Sequence, residues 1–427
     1  MALAQKLGKF LPFVGGPDQA HSLIPLFEAL CEVEEITVRN ATVASISKII
    51  KHLGTRFISF PQFLLSSFCF PGQNNRVAVQ SYFEFIKRIA SDEAGELFYA
   101  RVSSCHFLPD MYSLLSEADR ISLREIFGRL CKDELSIVRR AAATSFINVA
   151  KHVDSETLGG EMLDLLKTLC TDESQTIQVI GVEFISTFAT LLRKAHNAAA
   201  LTSEIIPLVK AYSEDASWKI RQALSRKFGL FATCFTPQET SDDIFPAIIH
   251  LVQDNESEVD YRKFLTYFSI IIILFRVLVQ VRSIAIVELL PFLSVVGAGR
   301  FVAELNPVAM QLVEDPVPTV RKLLAELCAD VAAKVGPEAV ASTISDLVLK
   351  LMDDEDQLVR LRIIRKIPLI AEEAPSLCTR LTDHFKVLFS VLFFFGYLSK
   401  WQVIFRYFLR AQIGECVRSC CWRCRRW

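Results

Sequence analysis

Short apolar stripes at helical spacing run through most of this chain, separated by polar turns. Within residues 202–235, Ile220, Leu224, Phe228 and Phe231 recur at i, i+4, i+8 and i+11. That spacing places side chains on one face of an α-helix. Ahead of them, Glu204-Ile205-Ile206-Pro207-Leu208-Val209 opens a first helix. Pro207 is tolerated there because the first N–H groups of a helix have no intrahelical acceptor. Ser213-Glu214-Asp215-Ala216-Ser217 forms the turn, where Ser217 or Asp215 is placed to cap the second helix. Neither helix buries its stripe alone, so such pairs are stable only when stacked on neighbours.

The pair repeats. Acidic residues, a short spacer, an aliphatic residue and a basic residue recur as Asp133-Glu134 before Val138-Arg139-Arg140, and as Asp215 before Ile220-Arg221. Later copies are Asp315 before Val320-Arg321 and Asp354 before Val359-Arg360. Weaker copies stand at Val38-Arg39, Ala100-Arg101 and Ile177-Gln178. The intervals are 38 from Arg101 to Arg139, 39 to Gln178, 43 to Arg221, and 39 for both Arg282 to Arg321 and Arg321 to Arg360. A period of about 40 is that of HEAT and armadillo repeats. The expected fold is therefore all-α: a HEAT-repeat α-solenoid, a right-handed superhelix of antiparallel helix pairs. The in-phase Asp and Arg predict a ladder of hydrogen bonds between successive turns. In it, Arg321 and Arg360 point at an acidic group of a neighbouring repeat, with Asp315 and Asp354 as candidates.

Three stretches break the pattern: residues 55–73, 259–280 and 387–410. They hold 14 of the 32 phenylalanines in 65 of the 427 residues, about a threefold enrichment. Arg221 to Arg282 is 61 residues, and removing the 22 of 259–280 leaves 39, the period seen elsewhere. Arg39 to Arg101 is 62, and removing 19 leaves 43. A translated intron has this character, since a pyrimidine-rich tract encodes Phe, Leu, Ser and Ile. GT encodes the start of Val259, and CAG encodes Gln73 and Gln280. The domain reading is a solenoid over 1–386, interrupted at 55–73 and 259–280, with a non-family tail at 387–427. The rival reading is a membrane span, but residues 264–279 number 16 and include Arg276, and spanning needs about 20 apolar residues.

Charge and chemistry add exclusions. Lys and Arg total 47 against 48 Asp and Glu, so no basic field points to nucleic acid or an anionic membrane. Residues 1–13 carry two lysines and no apolar run before a small-residue cleavage site, unlike a secretory signal. The 12 cysteines then read as reduced thiols of a cytosolic or nuclear protein. The seven histidines are scattered and none forms His-Glu-x-x-His. Cys105-His106 point about 100° apart on a helix, which reads as a core cysteine and not a catalytic dyad. Gly297-Ala298-Gly299 reads as a helix-end turn, with no Lys-Ser/Thr after it. Cys416, Cys420, Cys421 and Cys424 lack paired C-x2-C knuckles. No catalytic residue, cofactor or metal is expected.

The chain resembles one family in particular. The residues that carry the likeness are Leu3-Ala4-Gln5-Lys6-Leu7-Gly8, Val14-Gly15-Gly16-Pro17, Leu26-Phe27-Glu28-Ala29-Leu30, Val138-Arg139-Arg140-Ala141-Ala142-Ala143 and Glu214-Asp215-Ala216-Ser217-Trp218-Lys219-Ile220-Arg221. They are similar to the scaffold (A) subunit of protein phosphatase 2A, collinearly from residue 1 to about 386 outside the interruptions. That family is an all-helical horseshoe of fifteen HEAT repeats. Its last repeats hold a Ser/Thr phosphatase catalytic subunit, while its earlier ones hold an exchangeable regulatory (B-type) subunit. The resemblance covers part of the second repeat to the ninth or tenth. It therefore implies a non-catalytic scaffold that binds regulatory subunits, and the catalytic subunit only where the C-terminal repeats are present. Carried over by position, Arg139, Arg140, Trp218 and Lys219 are the partner-binding residues. Ser136 stands where the family has Pro, and Leu97-Phe98 where it has Trp-Phe. For Arg139 the intramolecular ladder is an equal alternative. The other function class is a different HEAT adaptor, such as a nuclear transport receptor or a related phosphatase regulator.

Overall fold

The computed structural model describes residues 1–54, 74–91, 98–254, 281–289, 291–292, 295, 299–335, 343–373 and 380. Among these, every regular element is helical. The chain divides into two compact units, residues 1–205 and 206–427. The stretches 55–73, 259–280 and 387–427 singled out above lie outside the described residues, as do Gly297, Ala298 and the four cysteines 416–424.

In the first unit, helix pairs follow one another along the chain. Ile24–Cys31 pairs with Ile36–Gly54, Asn74–Ile89 with Phe98–Tyr112, and Glu117–Cys131 with Ser136–Ala150. Leu163–Cys170 pairs with Gln175–Lys194. The second helices of successive pairs also pack on one another. Phe85, Phe107, Phe127, Phe146 and Phe188 are fully buried at these contacts. Ring pairs link neighbouring helices, with Phe85 to Phe107 at 6.1 Å and Phe146 to Phe188 at 5.9 Å between centroids. Aromatic side chains contribute most here because each removes a large apolar area from water. Gln175–Lys194 is long and apolar enough to cross a membrane by length and composition. Its Ile177, Val182, Ile185, Phe188 and Leu192 are instead buried against neighbouring helices.

In the second unit the pairs are Ile206–Ser213 with Trp218–Ser225, Phe245–Val252 with Val281–Glu288, Asn306–Leu312 with Pro318–Val335, and Ser345–Met352 with Gln357–Glu373. Pro207 does not open its helix as the sequence suggested: the helical run begins at Ala198, and Pro207 follows the π-helical turn Leu201–Ile205 within it. Pro246 and Pro307 stand alike, each just after a π-helical turn, Thr240–Ile244 and Phe301–Leu305. A proline leaves the carbonyl four residues back without its donor, and a widened turn accommodates that.

Another expectation needs correction. The apolar stripe Ile220, Leu224, Phe228 and Phe231 is buried as read, but it does not lie on one continuous α-helix. The helix Trp218–Ser225 ends, Lys227 leaves helical geometry at φ −137°, and Phe228–Thr233 is a 3-10 helix. The sequence signal is Gly229, a weak helix former. Its N–H donates to Glu288 Oε2 at 2.7 Å instead of to its own helix.

Candidate functional site: the turn ridge and its ladder

The recurrent Asp and Arg meet across successive turns. In the first unit Arg101 Nε donates to Asp133 Oδ2 at 2.8 Å. Arg139 grips the next turn with two bonds, Nε to Asp172 Oδ2 at 2.8 Å and Nη2 to Asp172 Oδ1 at 3.1 Å. Its Nη2 also reaches Glu173 Oε1 at 2.8 Å. Its remaining nitrogen, Nη1, turns back to the carbonyls of Asp133 and Glu134 in its own turn, at 2.8 and 3.0 Å. Each ladder aspartate is fixed in turn from its own repeat. Asp133 Oδ1 accepts the Leu135 N–H at 2.9 Å, and Asp172 Oδ1 accepts the Ser174 N–H at 2.8 Å. Such a side-chain turn orients the carboxylate before the arginine arrives.

The second unit repeats this chemistry. Arg221 clasps Asp254 through Nε and Nη2. Arg282 pairs with Asp315 at 3.0 Å, and Arg321 with Asp354 at 2.7 and 3.1 Å. The Arg321 bonds are those expected from sequence, with Asp354 as acceptor. The separation is 33 residues in four of these rungs and 32 in the Arg101 rung. Arg360 bonds the carbonyls of Asp354 and Glu355 in its own turn. The position 33 residues beyond it lies outside the described residues.

These pairs are buried. Arg139 is 7 % exposed and Arg321 4 %. The carboxylates of Asp172 and Asp354 raise the affinity of those two guanidinium groups for their protons, so both stay charged at any working pH. Bidentate geometry and the additional carbonyl acceptors satisfy the charge that burial removes from water. The arrangement fixes the register of one repeat on the next.

The sequence-derived contact residues fall out differently. Arg139 has all its donors inside the ladder. Arg140, beside it, points into solvent and makes no ion pair with any described residue. Around Arg140 the turn exposes Leu135, Ser136 and Ile137. In the second unit Trp218 is half-buried and Lys219 exposed, with the Lys219 ammonium 6.0 Å from the Trp218 ring. Ser217 caps nothing with its hydroxyl; Asp215 accepts its N–H at 2.7 Å instead. Asp254 escaped the sequence reading, because residues 259–280 separate it from the arginine whose turn it belongs to. Leu97 lies outside the described residues. Cys105 is buried, with its thiol pKa pushed up to about 12 by desolvation, and its S–H donates to the Arg101 carbonyl at 3.3 Å. It is a core residue and not a nucleophile.

No protein-family model matches the chain. It is 35% identical over 163 residues to the alpha isoform of the serine/threonine-protein phosphatase 2A 65 kDa regulatory A-subunit of Arabidopsis thaliana, covering 38% of this chain and 24% of that protein. It is 34% identical over 158 residues to the beta isoform of Homo sapiens, covering 37% and 22%. It is 30% identical over 165 residues to the protein phosphatase 2A scaffold subunit of Dictyostelium discoideum, covering 39% and 24%. The matched stretches thus span about a quarter of those relatives' length. Among solved structures, yeast importin-beta (Kap95p) aligns with a TM-score of 0.51 at 14% identity, covering 82% of this chain and 41% of that one. Kap95p bound to RanGDP aligns at 0.52 and 15%, covering 87% and 42%. At such identities these two show the helical-repeat fold alone. The chain is a HEAT-repeat protein whose matched residues are similar to the 65 kDa regulatory A-subunits of protein phosphatase 2A.

Proposed function

We propose that this chain is a non-catalytic scaffold of a protein phosphatase 2A complex, presenting the ridge of its intra-repeat turns to regulatory (B-type) subunits. The observation that carries the reading is the division of labour within each turn. The ladder arginine is consumed by its neighbour, while residues beside it face water: Leu135, Ile137 and Arg140 at one turn, and Lys219 with one side of the half-buried Trp218 at another. Tryptophan and arginine are among the residue types that dominate interface energetics. The names of the relatives, regulatory and scaffold subunits, support the same reading. The described cysteines 31, 105, 131, 170, 234 and 328 are buried and form no disulfide with one another, which supports a reducing compartment, the cytosol or nucleus.

The test is co-purification of the whole chain with B-type regulatory subunits, with the phosphatase catalytic subunit, and with Ran as the arm for a transport-receptor role. Capture of a regulatory subunit with micromolar or tighter affinity supports the proposal. Capture of Ran alone replaces it with the transport reading.

A further inference from the structure

Two loops of the first unit lie side by side where the helices Ser136–Ala150 and Gln175–Lys194 end. Ser155 Oγ donates to the Ala195 carbonyl at 2.9 Å, and Asn197 Nδ2 donates to the Ser155 carbonyl at 3.4 Å. This edge is the far end of Gln175–Lys194 from its intra-repeat turn, about 30 Å away for 20 residues. Repeats stack through helix faces, so a neighbouring repeat on either side does not cover it. Lys151, Arg193, Lys194 and His196 are exposed there and make no ion pair with any described residue. Lys151 reaches the Asn148 amide oxygen at 3.1 Å, and the exposed His152 stacks on Tyr112 at 6.5 Å between centroids. The acids of these two loops are Asp154 and Glu156. Asp154 is engaged in a cap, accepting the Thr157 N–H at 2.9 Å and its hydroxyl at 2.8 Å.

A helix dipole favours cations in the last turn, which accounts for Arg193 and Lys194. It does not account for His196, which stands past the helix end. His196 holds φ +57°, the only non-glycine residue with positive φ among the described residues. Its N–H donates to the Arg193 carbonyl at 3.1 Å, and the Asn197 N–H to the Leu192 carbonyl at 3.0 Å. A helix closed this way favours glycine at the left-handed position, because a Cβ strains that backbone. The His196 imidazole returns nothing within the chain, since it has no hydrogen bond or ion pair to any described residue. Strain held at an exposed, unpartnered side chain points to a binding role. A continuous polyanion fits poorly, because Asp154 and Glu156 interrupt the cations. A peptide can set its carboxylates between them. We propose that Arg193, Lys194 and His196, with Lys151 at the border, bind an acidic segment of a partner protein.

The experiment uses the whole chain and a fluorescent peptide of six Glu alternating with Gly, read by anisotropy. A second peptide carries Gln in place of every Glu. The acidic peptide binds and the Gln peptide does not. Arg193→Gln with Lys194→Gln weakens binding tenfold or more with helicity unchanged. His196→Gly weakens it fivefold or more while the melting temperature stays level or rises, since glycine relieves the strain. The pair Lys6→Gln and Lys9→Gln removes equal charge elsewhere in the unit and leaves binding unchanged. The proposal is overturned by failure of the acidic peptide to bind, by equal binding of both peptides, or by equal weakening in the Lys6 and Lys9 pair. It is also overturned if His196→Gly binds like the parent, or if it melts lower, because the imidazole would then serve the fold. Tighter binding of poly-uridine RNA or of phosphatidylserine vesicles than of the peptide overturns it in favour of that polyanion.

Discussion

Arg282 donates through Nη1 to the main-chain carbonyl of Asp254, 28 residues earlier in the chain. Arg39, Arg139, Arg221, Arg321 and Arg360 make the same bond to a carbonyl 6 residues earlier. The difference is 22, the length of residues 259–280. The turn that Asp254 begins and Arg282 ends is thus an ordinary repeat turn with an added segment between its halves. Deleting residues 259–280 joins Glu258 to Val281 and restores the spacing of 6. We expect the deletion variant to be soluble, to keep its helical content, and to melt no lower than the parent by circular dichroism. A variant that loses cooperative melting would show that the segment is part of the fold. Sequencing the spliced transcript tests the intron reading independently, because a mature message encoding residues 264–280 would sink it.

Arg139→Leu should be among the most damaging substitutions. It leaves the Asp172 carboxylate, 6 % exposed, buried without its cation. Breaking one side of a buried pair costs about 3–5 kcal/mol. The double variant Arg139→Leu with Asp172→Leu should recover a large part of that, because no lone charge remains. Urea denaturation of both variants measures the difference. A double variant no more stable than the single would show that the bonds from Arg139 to Asp133 and Glu134 matter more than the rung.

Gly181→Ala tests a close approach between helices. A Cβ at this position would stand 2.9 Å from the Cys170 backbone nitrogen and 3.0 Å from the Leu169 carbonyl carbon. Backbone cannot yield as a side chain can, so the helices Leu163–Cys170 and Gln175–Lys194 must separate. Overpacking of this kind costs about 1–3 kcal/mol, against the ordinary gain of about 1 kcal/mol for Gly to Ala within a helix. Thermal melting should therefore show a net loss.

Glu288 gives a pH dependence. Burial raises its pKa above the usual carboxylate value, and the Gly229 N–H offsets this in part. The folded chain then holds the proton more tightly than the unfolded chain does. Stability from this group is present below the ordinary glutamate pKa and is lost as pH rises through the raised one. Glu288→Gln keeps an acceptor for Gly229 and removes the titration. The variant should melt higher than the parent at pH 7 and nearly level with it at pH 4, in scans across that range.

Trp218→Ala should weaken regulatory-subunit binding about thirtyfold, the equivalent of about 2 kcal/mol for loss of an aromatic anchor. Its ring is half-buried. Helicity and melting temperature must therefore be measured beside affinity. A folded variant with unchanged affinity removes Trp218 from the interface. A variant that loses affinity only as it unfolds assigns Trp218 to the core.

The sequence by itself determined the helical pairs, their period and the places where the period fails. Those features are local: an apolar stripe at 3.6-residue spacing, a turn rich in Asp and Ser, and an Arg in fixed phase with both. It also pointed to the ladder and to its arginines, because an in-phase Asp and Arg recur only if each repeat meets its neighbour in the same way, but it missed the acceptors Asp172 and Asp254. It did not determine the direction of the rungs. Arg321 reaches forward to Asp354 with two nitrogens and back to Asp315 with the third, and only the stacking distance between successive turns decides which carboxylate it meets. Nor did the sequence separate Arg139 from Arg140, adjacent residues of the same type. One faces the next repeat and the other faces water, since adjacent positions on a helix differ by about 100°. The break after Ser225 was signalled only by Gly229, a weak helix former. An apolar stripe reads the same through a 3-10 segment as through an α-helix, and the acceptor that holds Gly229 comes from Glu288, 59 residues away.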